Sequence, residues 1–189
     1  VGRDRGMVFQ EYALFPWMTV EQNVAFGPSI RRAPKAEIRE KTSSLLDMLH
    51  LSEFRDRYPK DLSGGMRQRV AIARVLALDS KILLMDEPFG ALDALTRHNL
   101  QDELLRIWES LRKTVLFVTH SIEESIYLAD RIVVMTYRPG TVKRDMAVDL
   151  PRPRDPSAPA FNELKKELTS LVMEEQWRHE REETRRSSP

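Results

Sequence analysis

Apolar residues recur along this chain with two different periods, and the changes of period mark its elements. Met7, Val8 and Phe9 form a short β-prone run that Gln10 ends. Thr19 is a preferred helix cap, and Val20, Asn23, Val24 and Phe26 after it predict a short helix with Glu21 and Gln22 in its first turn. Pro34 opens a longer helix in which Ile38, Leu45, Leu46 and Leu49 keep helical spacing. After the turn Ser63-Gly64-Gly65, Met66, Val70, Ala73 and Ala77 predict a third helix with one apolar stripe. Arg67, Arg69 and Arg74 fall off that stripe and are free for solvent or a phosphate. Lys81 to Met85 has the continuous apolar character of a strand covered on both faces, as in a parallel sheet.

A helix after Asp93 presents Leu100, Leu104, Ile107, Trp108 and Leu111 on one face. Thr114 to Thr119 is a second buried-type strand, ending at His120. Ser121-Ile122-Glu123-Glu124 has the form of a capping box and predicts a short helix to about Ala129. Arg131 to Met135 reads as a further strand of the same kind, and Pro139-Gly140 turns toward an antiparallel addition around Met146 to Leu150. Strand and helix alternate from Lys81 onward, which predicts an α/β fold with a largely parallel sheet, whereas Tyr12 to Leu78 reads as mainly helical. Pro151-Arg152-Pro153-Arg154-Asp155-Pro156 reads as a stiff linker. Phe161, Leu164, Leu168, Leu171 and Val172 then predict an amphipathic helix, followed by a charged tail expected to be a solvated, fraying end.

Composition narrows the function classes. A length of 189 residues with 41% hydrophobic and 31% charged positions suits about one folded domain. A net charge of +1 offers no general electrostatic case for nucleic acid, and the absence of cysteine removes disulfides, thiolate catalysis and cysteine zinc sites. No apolar run reaches the length of a membrane span.

The candidate chemistry lies between Leu62 and His120. Gly64 and Gly65 leave backbone N–H groups uncovered at a helix start, where the dipole favours an anion, and Ser63 can cap that helix or meet a phosphate oxygen. Asp86 and Glu87 fall at a strand's carboxyl end, where ligands gather in parallel sheets and where paired carboxylates suit magnesium and an activated water. Gln10 ends the first strand with an amide, and the aromatic run Tyr12 to Trp17 reads equally as core or as a docking patch. Each group alone has an ordinary explanation as loop, turn or structural histidine. Their joint occurrence, with an anion-ready helix start followed by carboxylates on one strand end and a histidine on the next, is what carries the reading.

These motifs resemble the nucleotide-binding subunit of ABC transporters. Leu62-Ser63-Gly64-Gly65-Met66 is similar to that family's signature motif, with Met66 where glutamine is commoner. Ile82 to Glu87 resembles the Walker B strand, Ala91-Leu92-Asp93 the D-loop, Gln10 the Q-loop glutamine and His120 the switch histidine. Leu14-Phe15-Pro16-Trp17, Asp86 to Asp93 and the Pro-Arg-Pro-Arg segment look like the importer branch serving nitrate, sulfonate or taurine. The resemblance implies ATP and Mg2+ as ligands, with Asp86 and Gln10 at the metal, Glu87 orienting or deprotonating the attacking water and His120 at the γ-phosphate. Ser63, Gly64 and Gly65 would bind the ATP of an opposite subunit, and Asp93 would lie at the nucleotide. It also implies transmembrane permease subunits, a periplasmic or lipid-anchored solute-binding protein, homodimer-type pairing, no nucleic acid, and a place on the cytoplasmic face of the membrane.

On that resemblance the expected fold is an incomplete P-loop NTPase core with a mainly helical subdomain and a C-terminal helix. Residues 1–11 would be a remnant of the N-terminal core ending in the Q-loop, 12–78 the helical subdomain, 79–150 the RecA-like core and 151–189 the linker and C-terminal helix. None of the seven glycines belongs to a G-x-x-x-x-G-K-[ST] phosphate loop, so the sequence reads as N-terminally truncated and is expected to be inactive alone, with part of its sheet left uncovered. Two other readings remain open at this point: a non-transport ABC ATPase acting on nucleic acid or ribosomes, and a non-catalytic remnant lending its signature motif to an intact partner.

Overall fold

A computed structural model of the chain describes residues 4–187, which pack as two compact units, one ending at Val118 and the other beginning at Thr119. The boundary falls inside the segment 79–150.

The first unit is built on a parallel three-stranded sheet of β1 (Arg5–Val8), β2 (Ile82–Asp86) and β3 (Thr114–Val118), with β2 in the middle. Val8 pairs with Met85 and Met85 with Phe117, so Val8, Leu83, Met85, Val115 and Phe117 share one face. That face holds the buried members of β1 and β2, and Gly6 on it meets Val75 of a helix, α3 (Gly64–Leu76). On the opposite face Leu116 is 61% exposed and Val118 48%. The expectation that β2 is covered on both faces, and that β3 is a buried-type strand, is therefore corrected. Alternation, not continuous burial, describes both strands.

Helix α3 is also the hub for α1 (Val20–Ile30) and α2 (Lys35–Met48). Thr19 and Gln22 form a capping box at the start of α1, which continues through Pro28 beyond the predicted Phe26. Burial on α3 is wider than the single predicted stripe, taking in Gln68, Val70, Ala71, Ile72, Ala73, Val75 and Leu76. Contacts on several sides demand this, since the helix supports the sheet and both other helices. Two short 3-10 turns, Ser52–Phe54 and Pro59–Asp61, lead into it. Helix α4 (Ala94–Leu111) completes the unit, burying Leu100, Leu104 and Ile107 as predicted. Leu111 at its end is exposed.

The second unit contains α5 (Ile122–Leu128), the antiparallel pair β4 (Arg131–Met135) and β5 (Val142–Ala147), and α6 (Pro159–Ser187). Ser121 caps α5 as its capping-box pattern predicts, accepting from the Glu124 amide. Four expectations are overturned here. Strand β4 pairs with β5 and not with the parallel sheet, and its side chains alternate between exposed and buried. The partner strand begins at Val142, earlier than predicted. The Pro-Arg segment is no free linker, because Arg154 is 6% exposed and donates to the carbonyls of Ile126, Tyr127 and Ala129 at the end of α5, and to those of Val148 and Leu150. A short helix leaves its last carbonyls without partners, and this guanidinium supplies them. The charged tail, finally, continues α6 as helix to Ser187.

Candidate functional site

The carboxyl end of β2 places the first group of candidate residues. Asp86 is the strand's exposed last residue, in register with Val118. The chain then turns sharply: Glu87 has φ 44°, in the left-handed region that a non-glycine residue rarely adopts, and its amide donates to the Val118 carbonyl at 2.9 Å. Gly90 donates back to the Glu87 carbonyl at 3.1 Å. Phe89, 1% exposed and 5.8 Å from the Phe117 ring, anchors the turn from below. Buried aromatic packing thus holds a backbone conformation that costs free energy, a combination typical of functional sites.

Gln10 reaches the same turn from the end of β1. A Cβ built on Gly90 would lie 3.6 Å from the Gln10 Nε2 and 3.6 Å from the Glu87 Oε2. The amide and the carboxylate therefore both border the space over Gly90. Two candidate residues separated by 77 positions meet because β1 and β2 are adjacent and parallel. Among the described residues no three His, Cys, Asp or Glu side chains form a metal cage. Magnesium does not require one, since it keeps several waters and takes one or two carboxylates plus substrate phosphates. A single exposed carboxylate with a neighbouring amide fits that requirement.

The second group surrounds the start of α3. Ser63 accepts from the Met66 amide at 3.2 Å, so its oxygen caps the helix while its hydroxyl proton remains available to an anion. Gly64 lies between two loops, with Leu92 Cδ2 and the Tyr12 hydroxyl each 3.4 Å from where a Cβ would stand. A Cβ on Gly65 would come within 2.7 Å of Thr96 Cγ2 on α4. Asp93 caps that helix through the Thr96 amide at 3.0 Å, and this hydrogen bond holds its carboxyl below the usual range. The start of α3 and the start of α4 thus abut.

The three arginines of α3, expected to face solvent or a phosphate, are committed inside the protein. Arg67 donates to the Leu62 carbonyl at 2.7 Å and lies 5.6 Å from the Tyr12 ring centroid. Arg69 pairs with Glu103 of α4 at 2.8 Å. Arg74 donates to the carbonyls of Ala13 at 2.6 Å and Tyr12 at 3.2 Å, and sits 5.4 Å from the Phe15 ring. Burial lowers its pKa, although a guanidinium stays charged. Buried Asn23 grips the other end of this loop through the Phe15 amide and carbonyl and the carbonyls of Met18 and Thr19. Asn23 and Arg74 were missed as loop-holding residues. The only signal for Asn23 was an amide interrupting an apolar stripe, and Arg74 had none.

His120 belongs to the second unit. It is exposed and sits between β3 and α5, in a turn where Thr119 accepts from the Ser121 amide at 3.0 Å.

Comparison with known proteins reports on this arrangement. The ABC transporter family profile matches residues 1–90. An uncharacterized ABC transporter ATP-binding protein of Methanocaldococcus jannaschii is 53% identical over 174 residues, covering 92% of this chain and 65% of that protein. The nitrate import ATP-binding protein NrtD of Synechocystis is 51% identical over 79% of this chain and 56% of its own length. The aliphatic sulfonates import ATP-binding protein SsuB of Bacillus licheniformis is 47% identical over 88% of this chain and 64% of its own. Among solved structures, cbiO1 of Clostridium perfringens, part of the ABC transporter complex cbiONQ, superposes with TM-score 0.69 at 28% identity, covering 77% of this chain and 58% of that one. The chain thus spans roughly two thirds or less of the length of these relatives. With its α/β fold, its strand-end carboxylates and its glycine turn at a helix start, this chain belongs to the ABC transporter ATP-binding proteins.

Proposed function

We propose that this chain is the ATP-hydrolysing subunit of an importer for a small anionic solute of the nitrate or sulfonate kind. One observation carries the catalytic part: the Gln10 amide and the Glu87 carboxylate converge over Gly90, directly after Asp86. Glu87, held in its strained turn, is the group that orients or deprotonates the attacking water. Asp86 and Gln10 would hold magnesium, largely through water, and the ion would supply positive charge for the phosphates. His120 contacts the γ-phosphate. Ser63 and the amides of Gly64 and Gly65 serve the ATP of a second subunit, and Asp93 lies at the nucleotide. That division of labour fits the spacing of the two groups along the chain, each at the end of a different element. The solute class is supported by the names of the nitrate and sulfonate import relatives. Transmembrane permease subunits and a solute-binding protein complete such a system, and the chain works at the cytoplasmic face of the membrane.

The test is to tag the protein at its natural locus, so that it is recovered from its own membranes at whatever length the cell makes it. Co-purification with transmembrane subunits, and ATP hydrolysis stimulated by nitrate or an alkanesulfonate, is the expected result. Glu87→Gln in that complex should lower the rate by about 100-fold or more while ATP binding persists. Recovery with nucleic acid in place of membrane subunits would overturn the reading. Residues 1–189 contain no G-x-x-x-x-G-K-[ST] loop to cradle the phosphates, so the chain purified by itself should hydrolyse ATP negligibly. Hydrolysis at an ordinary steady-state rate would sink that part.

A further inference from the structure

The loop after Gln10 is laid along helix α3 and fastened to three successive stretches of it. Arg74 binds the carbonyls of Tyr12 and Ala13, two adjacent residues with φ 60° and 47°. Arg67 lies over the Tyr12 ring, and the Tyr12 hydroxyl stands against Gly64, 3.4 Å from the space a Cβ would fill. Two consecutive non-glycine residues in the left-handed region cost free energy that some other interaction must offset. Arg74 donates to both carbonyls that this backbone turns toward α3, and the Arg67 contact fixes the ring that results. Leu92 walls Gly64 at the same distance on another side. The glycine turn is therefore seated between the loop that follows Gln10 and the loop that precedes Asp93.

We infer that Tyr12 is a positioning residue for the Ser63–Gly65 turn, held in place by Arg74, and that it ties the state of the Gln10 loop to the phosphate-binding geometry of that turn within one chain. This rests on the proposed role of the turn in binding phosphate. Tyr12 acts through Gly64: its ring and hydroxyl limit where the Gly64 amide can point. The backbone strain at Tyr12 and Ala13 makes this arrangement sensitive to loss of the Arg74 bonds. The carbonyls then lose their charged donor and the loop is released toward ordinary φ values.

The experiment is an amide NMR titration of the whole chain with inorganic tripolyphosphate. In the unaltered chain the Gly64 and Gly65 signals should move, and the Tyr12 and Ala13 signals should move with the same midpoint. Arg74→Met should weaken the titration at Gly64 and Gly65 at least about threefold and abolish the concerted response at Tyr12 and Ala13. Arg74→Lys, which keeps a charge but loses the fork, should recover part of the affinity. Tyr12→Ala should match Arg74→Met, and the double variant should be no worse than either alone, because both break one tie. A loop that stays silent while Gly64 and Gly65 titrate, or an Arg74→Met variant that titrates like the parent, overturns the inference and leaves phosphate binding at the turn standing. Silence at Gly64 and Gly65 in the unaltered chain overturns the phosphate reading and this inference with it. Should Tyr12→Ala fail to fold, Tyr12→Phe keeps the ring and tests the hydroxyl at Gly64, with an unchanged Gly64 signal counting against the tie.

Discussion

At position 65 a single methyl group decides how closely two helices approach. The 2.7 Å that would separate a Gly65 Cβ from Thr96 Cγ2 is shorter than any relaxed contact, and both ends are backbone or branched side chain with little freedom. Gly65→Ala should therefore destabilise the chain by about 1 to 3 kcal/mol, read from urea denaturation. Thr96→Ser removes that methyl and should restore most of the loss in the double variant. If the two changes simply add, the contact is not the cause. Asp93, which caps the same helix three residues before Thr96, supplies a pH-dependent counterpart. Its carboxyl sits below the usual range because the cap favours the ionised form. Its contribution is thus present above the unfolded pKa of about 4 and is lost as pH falls through the lower folded value. Asn caps a helix about as well without titrating. Asp93→Asn should consequently leave stability near neutral pH unchanged and flatten the acid limb below about pH 4, and an acid limb identical to the parent's would refute the assignment.

Elements inherit their limits from such contacts, and this explains what could be read in advance. Helices α1, α3 and α5 were legible because their caps, Thr19, Ser63 and Ser121, are local, and each accepts an amide of its own helix's first turn, whereas the Asp93 cap of α4 was not foreseen. The carboxylates at the end of β2 were legible for the same reason: strand and turn are contiguous. Strand pairing was legible only in part: the turn at Pro139-Gly140 predicted an antiparallel strand after Arg131 to Met135, but an apolar run does not say which sheet it joins, and only tertiary contact pairs β4 with β5 alone. Nor was the meeting of Gln10 with Glu87 open to derivation from spacing, since it depends on β1 lying next to β2. The Pro-Arg segment shows the limit most sharply. Its prolines describe a stiff stretch, but Arg154 converts it into a clasp on the end of α5. Arg154→Met should leave several of those carbonyls without a donor and lower stability by about 3 kcal/mol or more, while Arg154→Lys, with fewer donors and no fork, should recover only part. Thermal denaturation of the three chains compares them, and an Arg154→Met chain as stable as the parent would show that water replaces the guanidinium.

For the molecule as a whole, the sheet's second face raises a question of association. Met7, Ile82, Leu84, Leu116 and Val118 fall on one side by register, opposite the face packed on α3, and among them Leu116 and Val118 are the most exposed. Contiguous apolar surface of this kind drives association, and unpaired strand edges add to it. The purified chain should therefore bind a hydrophobic dye such as ANS and sediment with a mass that rises with concentration. Leu116→Lys with Val118→Thr places polar groups on that face without touching the buried Leu83, Met85 or Val8. The double variant should keep its secondary structure by circular dichroism, bind less dye and sediment nearer the monomer. Because the changed side chains lie across the sheet from α3, a loss of folding would mean that this face contributes to the core, while unchanged association in a folded variant would place the sticky surface elsewhere. In that case the β4 and β5 pair, where Val133, Met135 and Val142 are about half exposed or more, becomes the next surface to alter.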